Sequence, residues 1–556
     1  MEGPSTSSSG REDCNHSAFQ SGGVEVLSNT AGVRRVLGTP SSKGSRKRAR
    51  EGGADDPSRK KVHRWLCQRP CLAAKNSFRK LMMRELCPGG NLGFSRHTAR
   101  ERFASMKVAQ EYDTYDQRGF PLRINQVPKR TRIVEIVAAK GLVFALGHTG
   151  LCAVFGRVSN SFVCYMNTSE DEVVRSLFYN KNNDALITVS VYAYDNYSSL
   201  RCRSTPLEYV RRGKPSEGFP LFESESLKWP GFVEFDDVNA KILTYNAQHH
   251  VYKVYGLKNY DFLYKISDLN IHEIKISPGI MLLISEFNSP SASKQHGASS
   301  TPAQLGQPHQ SQWGGERERG LGPKVPLQIL NVETGAVLKS FEHALTPNRG
   351  VEFVEQFNEK LLVKQEHEDL LIVDVCTGKH ITVPSTNFTT PSAFIFLYEN
   401  QLFLTFRKSK VEVWNFKGQL VTSFEDHQLW HPDGNTNNIY ITSEQDLIVS
   451  YCRPNESTRE GAGDLERDRE RARGRDGGDE RGGDGEGVGG EDQRKGGSIN
   501  VSNILTGKCI AKLRNDSTSR GASPLENVTA LFYDEESNEI YTGSRSGIVH
   551  VWSCGK

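Results

Sequence analysis

Four residues near the start of the chain have the types that bind zinc: His63, Cys67, Cys71 and Cys87. Structural zinc draws on two close ligand pairs in a tetrahedron. Here only Cys67 and Cys71 are close, and Pro70 interrupts them, so ordinary thiols are the better reading. His249-His250 sits between two apolar alternating stretches, where a turn explains it. Carboxylates cluster in DEV (171–173), FDD (235–237) and YDEES (533–537). Each occupies a hairpin position, where Asp and Glu serve turn chemistry. GLGPK (320–324) lacks the spacing of a phosphate-binding loop, and no G-x-S-x-G elbow, H-E-x-x-H helix or kinase signature occurs. No catalytic, cofactor-binding or metal-binding constellation emerges, and a noncatalytic role is expected.

The elements around these residues are strands. From about residue 131, short β-branched and aromatic segments alternate with period two between Asn, Asp and Gly turns. Examples are RIVEIVAA (132–139), LITVSVYAY (186–194), VYKVYGL (251–257), LFLTFR (402–407) and VHVWS (549–553). Their order repeats. A strand is followed by a turn beginning with an aromatic residue (YNKNNDAL, FDDVNAKI, FNEKL, YDEESNEI), and a second strand follows. A polar turn such as HTG (148–150) or SRSG (544–547) leads to a third strand. Four stretches share one syntax at the end of that third strand: LQILNVETGAVLKSFEH (327–343), LLIVDVCTGKHITV (370–383), VEVWNFKGQLVTSFEDH (411–427) and INVSNILTGKCIAKL (499–513). Unit ends fall near Phe155, Cys202, Tyr255, Asn331, Val375, Trp414, Asn503 and Trp552. With two insertions subtracted, the period is about 40–50 residues, that of four-stranded propeller blades. The expected fold is all-β: a single propeller of seven or eight blades, closed by lending terminal strands to one blade. In this reading Val413-Trp414 ends an outer strand and Leu420–Phe424 begins the inner strand of the next blade.

VEVWNFKGQLVTSFEDH and EIYTGSRSGIVHVWS (539–553) resemble WD40 repeats of the transducin type. In that family a unit ends in Trp-Asp. Here Trp414-Asn415 and Trp552-Ser553 stand in those places, and Gly147-His148, the single Gly-His pair, lies at a turn outside the signature position. SLFYNKNNDALITVSVYA, ESLKWPGFVEFDDVN, IKISPGIMLLI, TPSAFIFLYENQLFLTFR and NTNNIYITS also resemble a green-plant and algal family described as transducin/WD40 repeat-like, over about residues 94–555. That resemblance implies a fold and brings no agreed activity.

Composition divides the chain. Residues 1–62 form a basic tail poor in apolar residues, and 63–112 a short helical segment. Residues 113–556 form the propeller, with insertions at 287–324 and 453–497. The tail and insertions bury too little apolar surface to offset backbone entropy and are expected to be disordered. Lys47-Arg48 and Arg59-Lys60-Lys61 resemble a bipartite nuclear import signal, two basic clusters that fit acidic grooves of an import receptor. Phe78, Leu81, Met82 and Leu86 fall at helical spacing. Thr98-Ala-Arg-Glu101 reads as a capping box opening a helix through Phe103, Met106 and Gln110.

The net charge of +4 over 556 residues does not argue for nucleic acid by itself. No eighteen-residue apolar run predicts a membrane-spanning helix, and the eleven scattered cysteines read as reduced thiols of a nuclear or cytoplasmic protein. The expected function is a protein–protein interaction scaffold in a nuclear multiprotein complex, with Trp430 and His431 of HQLWHPDGNTNN (427–438) as candidate partner contacts. An RNA- or chromatin-associated factor using the basic front end is the alternative, and a propeller enzyme a third.

Overall fold

A computed structural model describes residues 33–35, 96–115, 130–267, 270–285, 324–346, 349–391, 393–407, 410–424, 438–452, 497–515 and 524–554. The import-signal residues, the four candidate zinc ligands, the 78–86 stretch, Trp430 and His431 lie outside them.

Eight four-stranded antiparallel sheets follow one another along the chain. We call them blades 1 to 8 and their strands a (inner) to d (outer). Blade 1 runs Ile133–Ala139, Leu142–Gly147, Cys152–Gly156 and Ser161–Tyr165, each strand paired with the one before. Blades 2 to 7 repeat the plan, and together they make an eight-bladed β-propeller. A three-residue strand, Val33–Arg35, lies antiparallel on strand a of blade 6, Ala393–Leu397.

Strands b are buried along almost their whole length, as in Leu142–Gly147 and Leu447–Cys452. Each is covered on both faces by neighbouring blades, which explains the near-continuous apolar runs. Outer strands lose that cover on one side. Leu420–Phe424 keeps only Phe424 fully buried, with Leu420 and Val421 exposed. The core is thus a ring of inter-blade layers. One joins Phe353, Phe357 and Leu362 of blade 5 to Phe394, Phe396 and Trp414 of blade 6.

The structure corrects two readings. Leu420–Phe424 pairs with Lys410–Asn415 and is the outer strand of the same blade, so the crossover to the next blade comes later. The reason is local: Asn415 and Gly418 make a four-residue hairpin turn, which returns the chain antiparallel beside its own strand. The helix runs Arg96–Ala104, so Thr98 lies inside it and does not cap it, and it ends before Met106. Met106 and Gln110 belong instead to the strand Met106–Asp113, which pairs with the last strand, Ile548–Cys554, and completes blade 8. The ring therefore closes by a terminal loan, and Met106–Asp113 covers the pairing edge that Ile548–Cys554 would otherwise expose.

Ion pairing and ring stacking reinforce this junction. Arg157 of blade 1 donates to both carboxylate oxygens of Glu539 of blade 8, at 2.8 and 2.7 Å. The Tyr541 hydroxyl donates to the same carboxylate at 2.7 Å. Tyr112 stacks on Phe155 with ring centroids 4.8 Å apart. Both ionic partners are largely shielded, with 21% and 11% of their side chains exposed. Arg157→Met would strand a shielded carboxylate, and we expect a loss of about 2–3 kcal/mol in denaturant unfolding; an unchanged midpoint would show that the clasp contributes nothing to closure.

Two imidazoles are held in the neutral form. Burial, with His380 adding a like charge, lowers the pKa of His343; burial lowers that of His550 against the opposing pull of Glu111. A lowered histidine pKa means the unfolded chain takes up the proton first. Stability from these groups is therefore present above about pH 6.5 and falls as the pH drops below it. The wild-type loss between pH 7 and 5 should exceed that of a His343→Gln/His550→Gln variant; parallel curves would contradict this assignment.

Candidate functional site

In an antiparallel blade the turns alternate between the two ends of the strands. Connections a–b and c–d open on one face of the ring, and b–c and d–a on the other. On the first face the a–b turns are two to five residues long. The c–d turns of blades 1 and 3 to 7 are four or five; blade 2 inserts a helix, Leu207–Arg211.

A repeated chemistry produces the short c–d turns of blades 4 to 7. Strand c ends in Asn331, Asp374, Asn415 and Asn503. In each, the side-chain oxygen accepts backbone N–H groups of the turn. Asn415 accepts from Lys417 at 2.9 Å and Gln419 at 3.0 Å; Asp374 accepts from Cys376 at 3.0 Å and Thr377 at 2.7 Å. A glycine follows in the left-handed region, as at Gly418 with φ +74°. A β-carbon there would lie 2.5 Å from Val383, on the outer strand of blade 5. The turn thus docks each blade onto the one before and needs glycine for both backbone and space.

This explains the Trp-Asn and Trp-Ser unit ends. Trp414 and Trp552 are buried on strands c of blades 6 and 8. Trp552 donates to Thr542 at 2.9 Å, whereas Trp414 Nε1 has no hydrogen-bond partner. Asn415 forms a turn. Ser553 has none to form, because the outer strand of blade 8 comes from the N-terminal side, with Ser553 opposite Lys107. The two tryptophans are buried in the blades, while Asn415 and Ser553 are partly exposed.

The second face carries the long connections. They include 114–132, 193–200, 222–231, 286–323, 384–392, 425–438, 453–497 and 514–527. Both sequence insertions and the HQLWHPDGNTNN loop therefore leave from this face.

Its described part over blades 2 and 3 holds a cluster of exposed rings. Strand b of blade 2 ends at Tyr192, and Ala193–Asp195 forms a single 3₁₀ turn. Asn196 and Tyr197 then both take left-handed φ, which reverses the chain sharply. Asp195 stabilises the reversal by accepting from Ser198 N and the Ser199 hydroxyl. The loop is tied to the next connection: Leu200 N donates to Leu227 O at 3.1 Å, and Trp229 N to Ser198 O at 2.7 Å. Tyr194, Tyr197 and Trp229 are 61%, 50% and 57% exposed. The Arg201 guanidinium sits over the rings of Tyr192 and Tyr194, 5.0 and 5.4 Å from their centroids, and donates to the Tyr194 hydroxyl. Burial pushes the Tyr192 phenol up to about 12, so it stays protonated.

Tyr, Trp and Arg side chains on loops tied by backbone bonds offer large contact area at low entropic cost, the composition of binding hot spots. Sequence reasoning passed over this cluster, because VYAY read as the end of a strand. Three tyrosines within six residues, at a strand end where burial should stop, were the available signal.

The expected turn roles hold at FDD, at YDEES and in the His249-His250 turn, but not at DEV, where Glu172 opens strand a of blade 2 after the crossover from blade 1. Asp236 accepts from Val238 N and Asn239 N, and Asn246 from Gln248 N and His249 N in the His249-His250 turn. Glu172 is buried under Thr168 and Ser190 and lies 3.7 Å from Arg203. Among the described residues no group of three His, Cys, Asp or Glu could hold a metal, and no helix is long and apolar enough to cross a membrane.

The fold and this loop-bearing face define the class, an eight-bladed propeller. Residues 91–292 and 319–467 match the family of a domain of unknown function, DUF7899. The match covers more than half of the chain, and the chain belongs to that family. A comparison with curated proteins gives no match. Among solved structures, the chain is similar to the computationally designed Ika8 protein, with 14% identity, 76% of this chain and 96% of that one covered, and a TM-score of 0.39. It is also similar to BamB from Moraxella catarrhalis, with 11% identity, coverage of 81% and 99%, and a TM-score of 0.36.

The two tryptophan ends yield one test. Thr542→Val removes the hydroxyl that accepts from Trp552 Nε1 with little change in side-chain volume, and should cost about 1–2 kcal/mol of stability. No loss would mean that the indole finds another partner.

Proposed function

We propose that this protein is a noncatalytic scaffold that binds protein partners through its loop-bearing face, within a nuclear complex. One observation carries the reading. The exposed cluster of Tyr194, Tyr197, Arg201 and Trp229 stands on the face that holds most of the long connections; the c–d connection of blade 2, residues 207–218, is the exception. Short turns on the opposite face serve to lock blade on blade. The other face therefore has the freedom to vary and the residue types that anchor a partner. Kinship with WD40 propellers is supported by the buried strand-c tryptophans and by the Asn and Asp turn-formers that follow four of the strands. Nuclear entry rests on the two basic clusters, Lys47-Arg48 and Arg59-Lys60-Lys61.

The test is affinity purification of full-length protein from nuclear extract beside a Tyr194→Ala/Trp229→Ala variant. These rings are exposed, so stability should hold to within about 0.5 kcal/mol. Stoichiometric partners should fall at least several-fold in the variant. Equal recovery would remove the cluster from the binding face, and cytoplasmic retention of the wild type would remove the nuclear setting.

A further inference from the structure

A groove of about 340 Å³ runs between blades 3 and 4. Its floor is apolar: Ile266 of the outer strand of blade 3, and Leu283 and Leu330 of strands b and c of blade 4. Its rim is polar, with Lys265, Ser285 and Gln328. That combination suits a short peptide with one large apolar side chain.

The groove also opens where a long stretch of chain departs. Ser285 is the last residue of strand b and lines the groove. Strand c resumes at Lys324, and the two strands pair at Ile284 and Leu327, so both ends of residues 286–323 are fixed at this site. Leu283 and Ser285 both line the groove, so the chain leaves strand b at the groove itself. Beyond it the segment is Ser-, Gln-, Gly- and Pro-rich, with Trp313 as its one tryptophan and Leu305 and Leu321 as its leucines. A lone indole in such a segment gains by leaving water, and a tethered segment meets a nearby groove at an effective concentration in the millimolar range.

We propose that residues 286–323 dock in this groove in cis, with Trp313 as the anchor over Leu283 and Leu330. The blade 3–4 junction is then a peptide-binding site already filled by the chain itself, and is separate from the aromatic cluster on blades 2 and 3.

The test compares the full chain with a variant whose residues 288–321 are replaced by a short Gly-Ser linker. The probe is a fluorescent synthetic peptide of residues 304–321, followed by anisotropy. The peptide should bind the shortened chain, at least about tenfold more weakly to the full chain, and not at all once it carries Trp313→Ala. Val337→Glu, at an exposed lining position, should weaken binding to the shortened chain at least several-fold. Equal binding to both chains, or to neither, overturns the proposal. So does self-association of the shortened chain through the groove, which would make a second copy the occupant. If the shortened chain does not fold, Trp313→Ala in the full chain decides: amide exchange at Leu283 and Leu330 should rise, and unchanged exchange overturns the proposal.

Discussion

The structure depends on closing a ring from a linear chain. Seven blades can form from consecutive hairpins, each stacking on the last. The eighth cannot, because strands 528–534, 539–544 and 548–554 still lack an outer partner. Met106–Asp113 supplies it, and the Arg157–Glu539 clasp fastens blade 8 to blade 1. Closure covers the faces of both terminal blades at once. Without it, Tyr112, Phe155 and Tyr541 of the shared layer would meet water. The rest of the molecule is local stacking that gains its full burial only when the ends meet.

Closure also fixes where variation is tolerated. The Asn- and Asp-capped turns pack against the outer strand of the preceding blade, as Gly418 does against Val383 and Gly507 against Thr422. An inserted residue there would break an inter-blade contact. On the opposite face most of the long connections leave, and lengthening a loop adds little closure entropy. The asymmetry between the faces thus follows from packing. It explains why aromatic rings can stand exposed over blades 2 and 3 while their counterparts on strands c, such as Trp414, are buried.

Much of the fold was legible because stacking imposes a period. The aromatic-led a–b turns and the Asn/Asp-x-x-Gly or Thr-Gly ends recur in order, and the structure places them at a–b and c–d hairpins. The blade boundary was misread because Trp414-Asn415 looks like an ending. Strand alternation alone cannot tell whether the next strand folds back beside its own blade or opens another. That information lies in turn geometry, which only the left-handed Gly418 and the Asn415 cap specify. Strand Met106–Asp113 was read as helix for a related reason: its partner is more than four hundred residues away, and a capping box upstream gave a stronger local signal.

The candidate binding surface was less legible, and the cause is physical. A buried ring is dictated by periodicity, so sequence reveals it. An exposed ring obeys no period; Tyr194 and Trp229 are brought together by backbone bonds between two loops of different lengths. The same holds for the groove between blades 3 and 4, built where the outer strand of blade 3 meets the strands of blade 4. Repeats announce the scaffold because each unit must solve the same packing problem. Binding surfaces arise where units differ, so a reading based on repetition reaches the frame before it reaches what the frame holds.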